Sequence, residues 1–217
     1  MKTSIHAMTS EEASANKKNG HDRELLRTDL LGEGAIVLTG TGKVDIVRKD
    51  GKTESVKGGK KTQWALYTLN RIVSDEVFSE YESFVISQWV NFLPDDKKEW
   101  EENRSKYKLN PHAVLLVDTF KEKPIKLINY FCGVGVVDVL VTMDNRDNAW
   151  METPMHHFSK KISESIKNVY FTKGGKLVIK GGKKNIILFE MELRKGKGSH
   201  KRVLFHSHLH RIIDCLK

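Results

Sequence analysis

The tetrapeptide Lys49-Asp50-Gly51-Lys52 stands between two short strand-like runs, Val44-Asp45-Ile46-Val47 and Thr53-Glu54-Ser55-Val56-Lys57. An Asp-Gly pair accepts the positive φ that a tight strand connection needs, so this pattern predicts a β-hairpin. The flanks sharpen the prediction. Upstream, leucines at helical spacing predict a helix over Asn16–Leu31, stopped by Gly32 and Gly34, and Ala35–Leu38 predicts a first strand ended by the turn Thr39-Gly40-Thr41-Gly42. Downstream, Gly58-Gly59 ends the third strand and Lys61–Ile72 carries a helical pattern. After a polar, loose Met1–Ala15, the chain therefore opens as α-β-β-β-α.

The rest of the sequence completes an α/β fold. Glu76–Leu93 has a broad apolar face of helical period, and Asp96–Tyr107 predicts a more charged helix broken by Asn110-Pro111. Ala113–Asp118 and Val136–Thr142 predict strands, and Ile125–Phe131 is compatible with helix or strand. Tyr170–Lys173, Lys176–Lys180, Ile186–Arg194 and Val203–Leu209 predict short strands joined by Gly-Lys turns, followed by a closing helix at Arg211–Leu216. The expected architecture is a single domain over residues 16–217. It has a mixed central β-sheet flanked by helices, with its core in 16–75, a helical part in 76–110, and core completion plus a β-rich basic part in 111–217.

Charge separates the ends of this domain. The net charge is +9, and Tyr170–Lys217 alone holds 12 Lys and Arg against 3 Asp and Glu, so the whole excess lies there. A basic terminal quarter on a neutral body predicts a surface facing a polyanion. Nothing in the chain has the length and apolarity of a signal peptide or a membrane span, which predicts a cytoplasmic protein with no membrane contact. Cys132 and Cys215 stand alone, with no Cys-x-x-Cys to support a disulfide framework or a zinc site.

The chemistry concentrates in the hairpin. Side chains alternate along a strand, so Ser55 and Lys57 share one face and Glu54 and Val56 the other. A hairpin partner can set Asp45 on the Ser55/Lys57 face, which pairs a carboxylate with an ammonium at the open end of the hairpin. Phosphodiester hydrolysis uses such a pair. The carboxylate holds Mg²⁺, the ion polarises the phosphoryl group, and the lysine orients the attacking water.

Asp45, Ser55-Val56-Lys57 and the flanking helices together resemble the PD-(D/E)XK nuclease superfamily, and within it the type II restriction endonucleases. Ser55 departs from the pattern, because the family usually has Asp or Glu there. The resemblance implies Asp45 and the Val56 carbonyl as metal ligands, Lys57 as the residue positioning water, and Glu24 of the opening helix as the second carboxylate in place of Ser55. Glu33 and Glu54 remain alternatives for that carboxylate, Glu54 if a β-bulge shifts its face. Gln63 and Tyr67, at i and i+4 of the helix after Lys57, resemble a pair found in related exonucleases, and Gln63 is expected at the DNA. The family implies a restriction-endonuclease-like core, Mg²⁺ as cofactor, double-stranded DNA as substrate, and a homodimer on a palindromic site, although monomeric members exist. A Holliday-junction resolvase or repair endonuclease of the same fold is the first alternative, and a non-catalytic nucleic-acid-binding protein the second.

The Gly-rich basic segment Arg194-Lys195-Gly196-Lys197-Gly198-Ser199-His200-Lys201-Arg202 is the expected DNA contact, through Arg194, Lys195, Lys197, His200, Lys201 and Arg202. His206, His208 and His210 alternate along one predicted strand. Successive positions on one strand face lie about 7 Å apart, too far to share one zinc ion without a kink, so they are read as a DNA-facing or polar outer face.

Overall fold

The computed structural model describes residues 10–40, 42–58, 63–64, 79–92, 94, 96–103, 115, 117–118, 121–122, 124–144, 146, 149–172, 176–195 and 201–217. Their elements run α1 (Ser10–Leu31), β1 (Ile36–Val37), β2 (Ile46–Val47), β3 (Thr53–Gly58), β4 (Gln63–Trp64), α2 (Glu80–Asn91), α3 (Lys97–Glu102) and α4 (Pro124–Cys132). They continue with β5 (Val139–Asp144), β6 (Ala149–Pro154), α5 (Met155–Ser165), β7 (Ile166–Phe171), β8 (Leu177–Gly181), β9 (Ile186–Lys195), β10 (Lys201–His208) and α6 (Leu209–Leu216). Where the sequence reading treats residues 16–217 as one domain, contacts divide the chain into two compact units. One comprises Met1–Lys61 with Gly135–Pro154, the other Thr62–Val134 with Met155–Lys217. No described helix is long and apolar enough to cross a membrane.

The first unit is α1 and a mixed five-stranded sheet in the order β1-β2-β3-β5-β6. All its neighbours are antiparallel except β3 and β5, which run parallel. The Asp-Gly signal behaves as expected. Gly51 sits at φ +83°, its amide donates to the Arg48 carbonyl at 2.9 Å, and Arg48 in turn donates to the Lys52 carbonyl at 2.8 Å. The resulting register sets Ile46 opposite Glu54 and Val56 opposite Val141. One face of the sheet thus gathers Ile46, Val56, Val139 and Val141 into a core, with Leu31, Ala35, Val37 and Trp150 packed against it. Removing each of the four core side chains from water stabilises the unit by about 1.5–3 kcal/mol.

Asp138 fastens the start of β5 to the start of β3. Its Oδ2 accepts the Thr53 amide at 2.8 Å and the Thr53 hydroxyl at 3.0 Å, while its own amide donates to the Thr53 carbonyl at 3.1 Å. Those bonds from Thr53, the backbone amide first, hold the Asp138 carboxyl below the usual carboxylate range. Burial works to raise the Glu152 carboxyl, but hydrogen bonds from Arg48 and Arg27 outweigh it, and that group too lies low. Both shifts make the unfolded chain the better proton acceptor. Their stabilisation is complete above the ordinary carboxylate pKa of about 4 and is lost as pH falls below it, towards the lowered folded values. Urea unfolding midpoints should therefore be flat from about pH 7 to pH 5 and fall below about pH 4. A midpoint that rises on acidification would refute the assignment.

The second unit carries an antiparallel five-stranded sheet in the order β4-β10-β9-β8-β7. Leu177, Val178, Ile179, Leu188 and Phe189 of β8 and β9 are buried, as are Phe158 and Ile162 of α5 and Leu209, Ile212, Ile213 and Leu216 of α6. Glu82 of α2 accepts Lys126 of α4 at 2.7 Å.

Three local expectations need correction. Gln63 and Trp64 are not helical but form β4, paired in register with His208 and Ser207 of β10. The edge of β10 offers unpaired backbone groups, and satisfying them overrides a weak local helix pattern. Tyr67, with the rest of the predicted 61–72 helix, falls outside the described residues. Leu115, Val117 and Asp118 are helical rather than extended. The helix over Asn16–Leu31 begins earlier, at Ser10.

Candidate active site on the first sheet

Asp45 immediately precedes β2, and its amide donates to the Glu54 carbonyl at 2.8 Å. That bond is one residue out of step with the Ile46–Glu54 pair, and it is the Asp45 side chain's own hydrogen bonds that set it on the Ser55/Lys57 face. Asp45 Oδ2 accepts three hydrogen bonds: from Ser55 Oγ at 3.1 Å, from the Val56 amide at 2.7 Å and from Lys57 Nζ at 2.7 Å. Among the described residues, none of these falls on Oδ1. Lys57 Nζ also donates to the Val56 carbonyl at 3.1 Å. A single ammonium is thus clasped between a carboxylate and a backbone carbonyl. The Lys57 and Asp45 side chains keep 24% and 15% of their exposure, enough for a ligand to reach them and little enough to strengthen their electrostatics.

Ser55 is 3% exposed, and its hydroxyl serves as a donor that orients Asp45. Val56 turns its side chain into the core and its carbonyl towards Lys57. Asp45, Ser55, Val56 and Lys57 therefore come together, as their spacing predicts.

The second carboxylate is a different matter. Glu54 is fully buried on the opposite face, where Arg27 donates to it through Nε at 3.0 Å and Nη2 at 2.9 Å, and Arg48 pairs with it as well. Both arginines also reach Glu152, Arg48 through Nη2 at 2.8 Å. The β3–β5 pairing runs without a register shift, and the arginines hold Glu54 on their own side, so Glu54 does not turn to the Asp45 side. Glu24 lies on α1 and meets His21 Nδ1 at 3.2 Å. No hydrogen bond or ion pair joins it to Asp45 or Lys57 among the described residues. Glu33 is exposed in the loop after α1. Among the described residues there is no group of three or more His, Cys, Asp or Glu arranged to hold a metal.

Sequence reasoning missed two polar residues on the Lys57 face. The parallel register sets Thr142 of β5 directly beside Lys57, with Asp144 two residues further on the same face. Both are buried, and Arg146 holds Asp144 in a fork through Nε at 2.8 Å and Nη2 at 2.6 Å. Neither was detectable without knowing that β5 pairs parallel to β3.

The predicted DNA-binding residues belong to the second unit. Gln63 is on β4; the ladder sets Arg194 opposite Arg202 and Lys195 opposite Lys201, and Lys197 and His200 lie outside the described residues. His208 is engaged by Glu190, at 2.8 Å from Nε2, and Lys176 reaches the same carboxylate at 2.9 Å. His156 and His157 are exposed on α5.

The oxygens at hand suit a hard cation: Asp45 offers Oδ1, and Val56 a carbonyl already turned to a positive charge. Mg²⁺ needs few protein ligands, since it keeps waters and takes substrate phosphate oxygens. Comparison of the chain with protein-family models and with curated proteins finds no match.

Proposed function

We propose that the protein is a Mg²⁺-dependent endonuclease of restriction-endonuclease type that hydrolyses phosphodiester bonds of double-stranded DNA. The observation that carries this reading is the Asp45–Lys57 pair at 2.7 Å, with the Val56 carbonyl 3.1 Å from the same ammonium. The order α1-β1-β2-β3, followed by a parallel return through β5, supports a core of the restriction-endonuclease kind.

Asp45 and the Val56 carbonyl would hold the metal. When bound, Mg²⁺ supplies positive charge to the phosphoryl oxygens and makes a bound water more acidic. Ser55 Oγ and the Val56 amide fix the rotamer of Asp45, so the carboxylate pays no reorganisation on binding. Lys57 donates to the attacking water and aims its lone pair at phosphorus, and its charge offsets that developing on the phosphoryl group. Glu24 would act through water.

The duplex is gripped by the paired strands β9 and β10. Like charges at directly opposed strand positions disfavour pairing, and a phosphate backbone lying over the Lys195/Lys201 pair relieves that cost. Replacing Lys195 and Lys201 by Gln should weaken duplex binding and lower the slope of log K against log salt by about 0.9 for each phosphate no longer neutralised. An unchanged slope would move the DNA elsewhere.

Digestion of a plasmid of known sequence tests the activity. Discrete Mg²⁺-dependent fragments are expected, and fragment ends would map the site that a homodimer reads as a palindrome. Cutting confined to four-way junctions would mean a resolvase. Retention of DNA without cleavage under Mg²⁺ and Mn²⁺ would leave a binding protein only.

A further inference from the structure

We propose that Lys57 and the divalent cation compete for the Asp45 carboxylate and the Val56 carbonyl, and that Thr142 Oγ1 receives the ammonium when the cation takes them. This deepens the nuclease reading and rests on its assignment of Asp45 and Val56 as metal ligands.

Two observations meet here. First, both acceptors of Lys57 Nζ, Asp45 Oδ2 and the Val56 carbonyl, belong to the residues that would bind the metal. An ammonium and a metal ion cannot share one carboxylate and one carbonyl at close range, because their like charges repel in a half-buried site. Lys57 must therefore find another acceptor without leaving the site. Second, Thr142 is fully buried, and its Oγ1 has no hydrogen-bond partner among the described residues. A buried hydroxyl left without a partner is costly, and a native protein that keeps one calls for a reason.

The register supplies it. Lys57 and Thr142 are Cα partners across the parallel β3–β5 ladder, on strands spaced about 4.8 Å apart and with side chains on the same face. The flexible four-carbon stem of a lysine swings across such a gap easily. The other acidic group on this face, Asp144, is already forked by Arg146. The unpartnered, buried Thr142 hydroxyl directly across the ladder is the acceptor we assign to the displaced ammonium. In that position Lys57 remains beside the metal ligands and free to donate to a water.

Mg²⁺ alone, titrated calorimetrically into the full-length chain without DNA, tests this independently of cleavage. Lys57→Met keeps the stem and removes the competitor, so it should tighten Mg²⁺ binding about tenfold. Thr142→Val removes only the acceptor. It should weaken Mg²⁺ binding roughly three- to tenfold when Lys57 is present and have no effect in the Lys57→Met background. Thr142→Ser, which retains the hydroxyl, should bind as the parent does; this guards against a folding defect being mistaken for the effect. Equal affinity of the parent and Lys57→Met would overturn the competition and leave the nuclease reading standing. An equal loss from Thr142→Val in both backgrounds would overturn the role of Thr142. No Mg²⁺ binding by any variant, Lys57→Met included, would overturn both the inference and the metal assignment beneath it. Absence of DNA cleavage with the competition intact would overturn the nuclease reading alone.

Discussion

Lys57→Met is expected to slow Mg²⁺-dependent cleavage on the order of 10²–10³-fold while leaving duplex binding and folding intact, as measured by single-turnover kinetics and thermal unfolding. Removing one preorganised donor aimed at the charge developing in a transition state has effects of that size. Folding should survive because Asp45 loses only one of its three donors; Ser55 Oγ at 3.1 Å and the Val56 amide at 2.7 Å remain. The ion pair is partly exposed, and pairs of that kind contribute little net stability. Duplex affinity should hold because the basic strands β9 and β10 proposed to bind DNA belong to the other unit. The combination is diagnostic: tighter Mg²⁺ binding with lost cleavage separates a residue that acts on the reaction from one that merely props up the site. Asp45→Ala should lose cleavage and Mg²⁺ binding together. Cleavage retained by Lys57→Met would remove Lys57 from its assigned role.

Much of this site was legible because its logic is local. The Asp50-Gly51 turn fixes the hairpin, the hairpin fixes the register, and two-residue periodicity then sets Asp45, Ser55 and Lys57 on one face. What was hidden depends on chain segments far apart in sequence. Thr142 joins the site only because β5 returns parallel to β3, and no local pattern announces a register between residues 57 and 142. Gln63 misled for a related reason. A helical pattern of Trp, Ala, Leu and Tyr follows it, yet Gln63 and Trp64 pair along β10. The β6–α5 segment was missed although part of it was readable: Met155, Phe158 and Ile162 lie at helical spacing, and all three are buried. Pro154, at the very end of β6, is acceptable there because β6 is an edge strand.

The fate of Glu54 shows why face and partner must both be known before a carboxylate is assigned to chemistry. Glu54→Ala should destabilise the protein by about 3–5 kcal/mol in urea unfolding, the cost of stranding buried charge after one partner is removed. The Glu54 side chain is wholly buried and the Arg27 side chain keeps 7% of its exposure, so water cannot replace the lost acceptor. Hydrogen bonding to Glu54 is the chief reason the Arg27 guanidinium is held even more firmly charged than usual, which leaves neutralisation no escape. Glu152 remains as a second acceptor for both arginines and should soften the loss, more for Arg48 than for the deeper Arg27. Arg27→Met combined with Glu54→Leu should therefore cost less than the two single changes summed, since it removes charge from both sides of the network. The folded fraction of Glu54→Ala should bind Mg²⁺ as the parent does. A loss of Mg²⁺ affinity comparable to that of Asp45→Ala would instead make Glu54 the second carboxylate, and would require β3 to turn its other face to the metal.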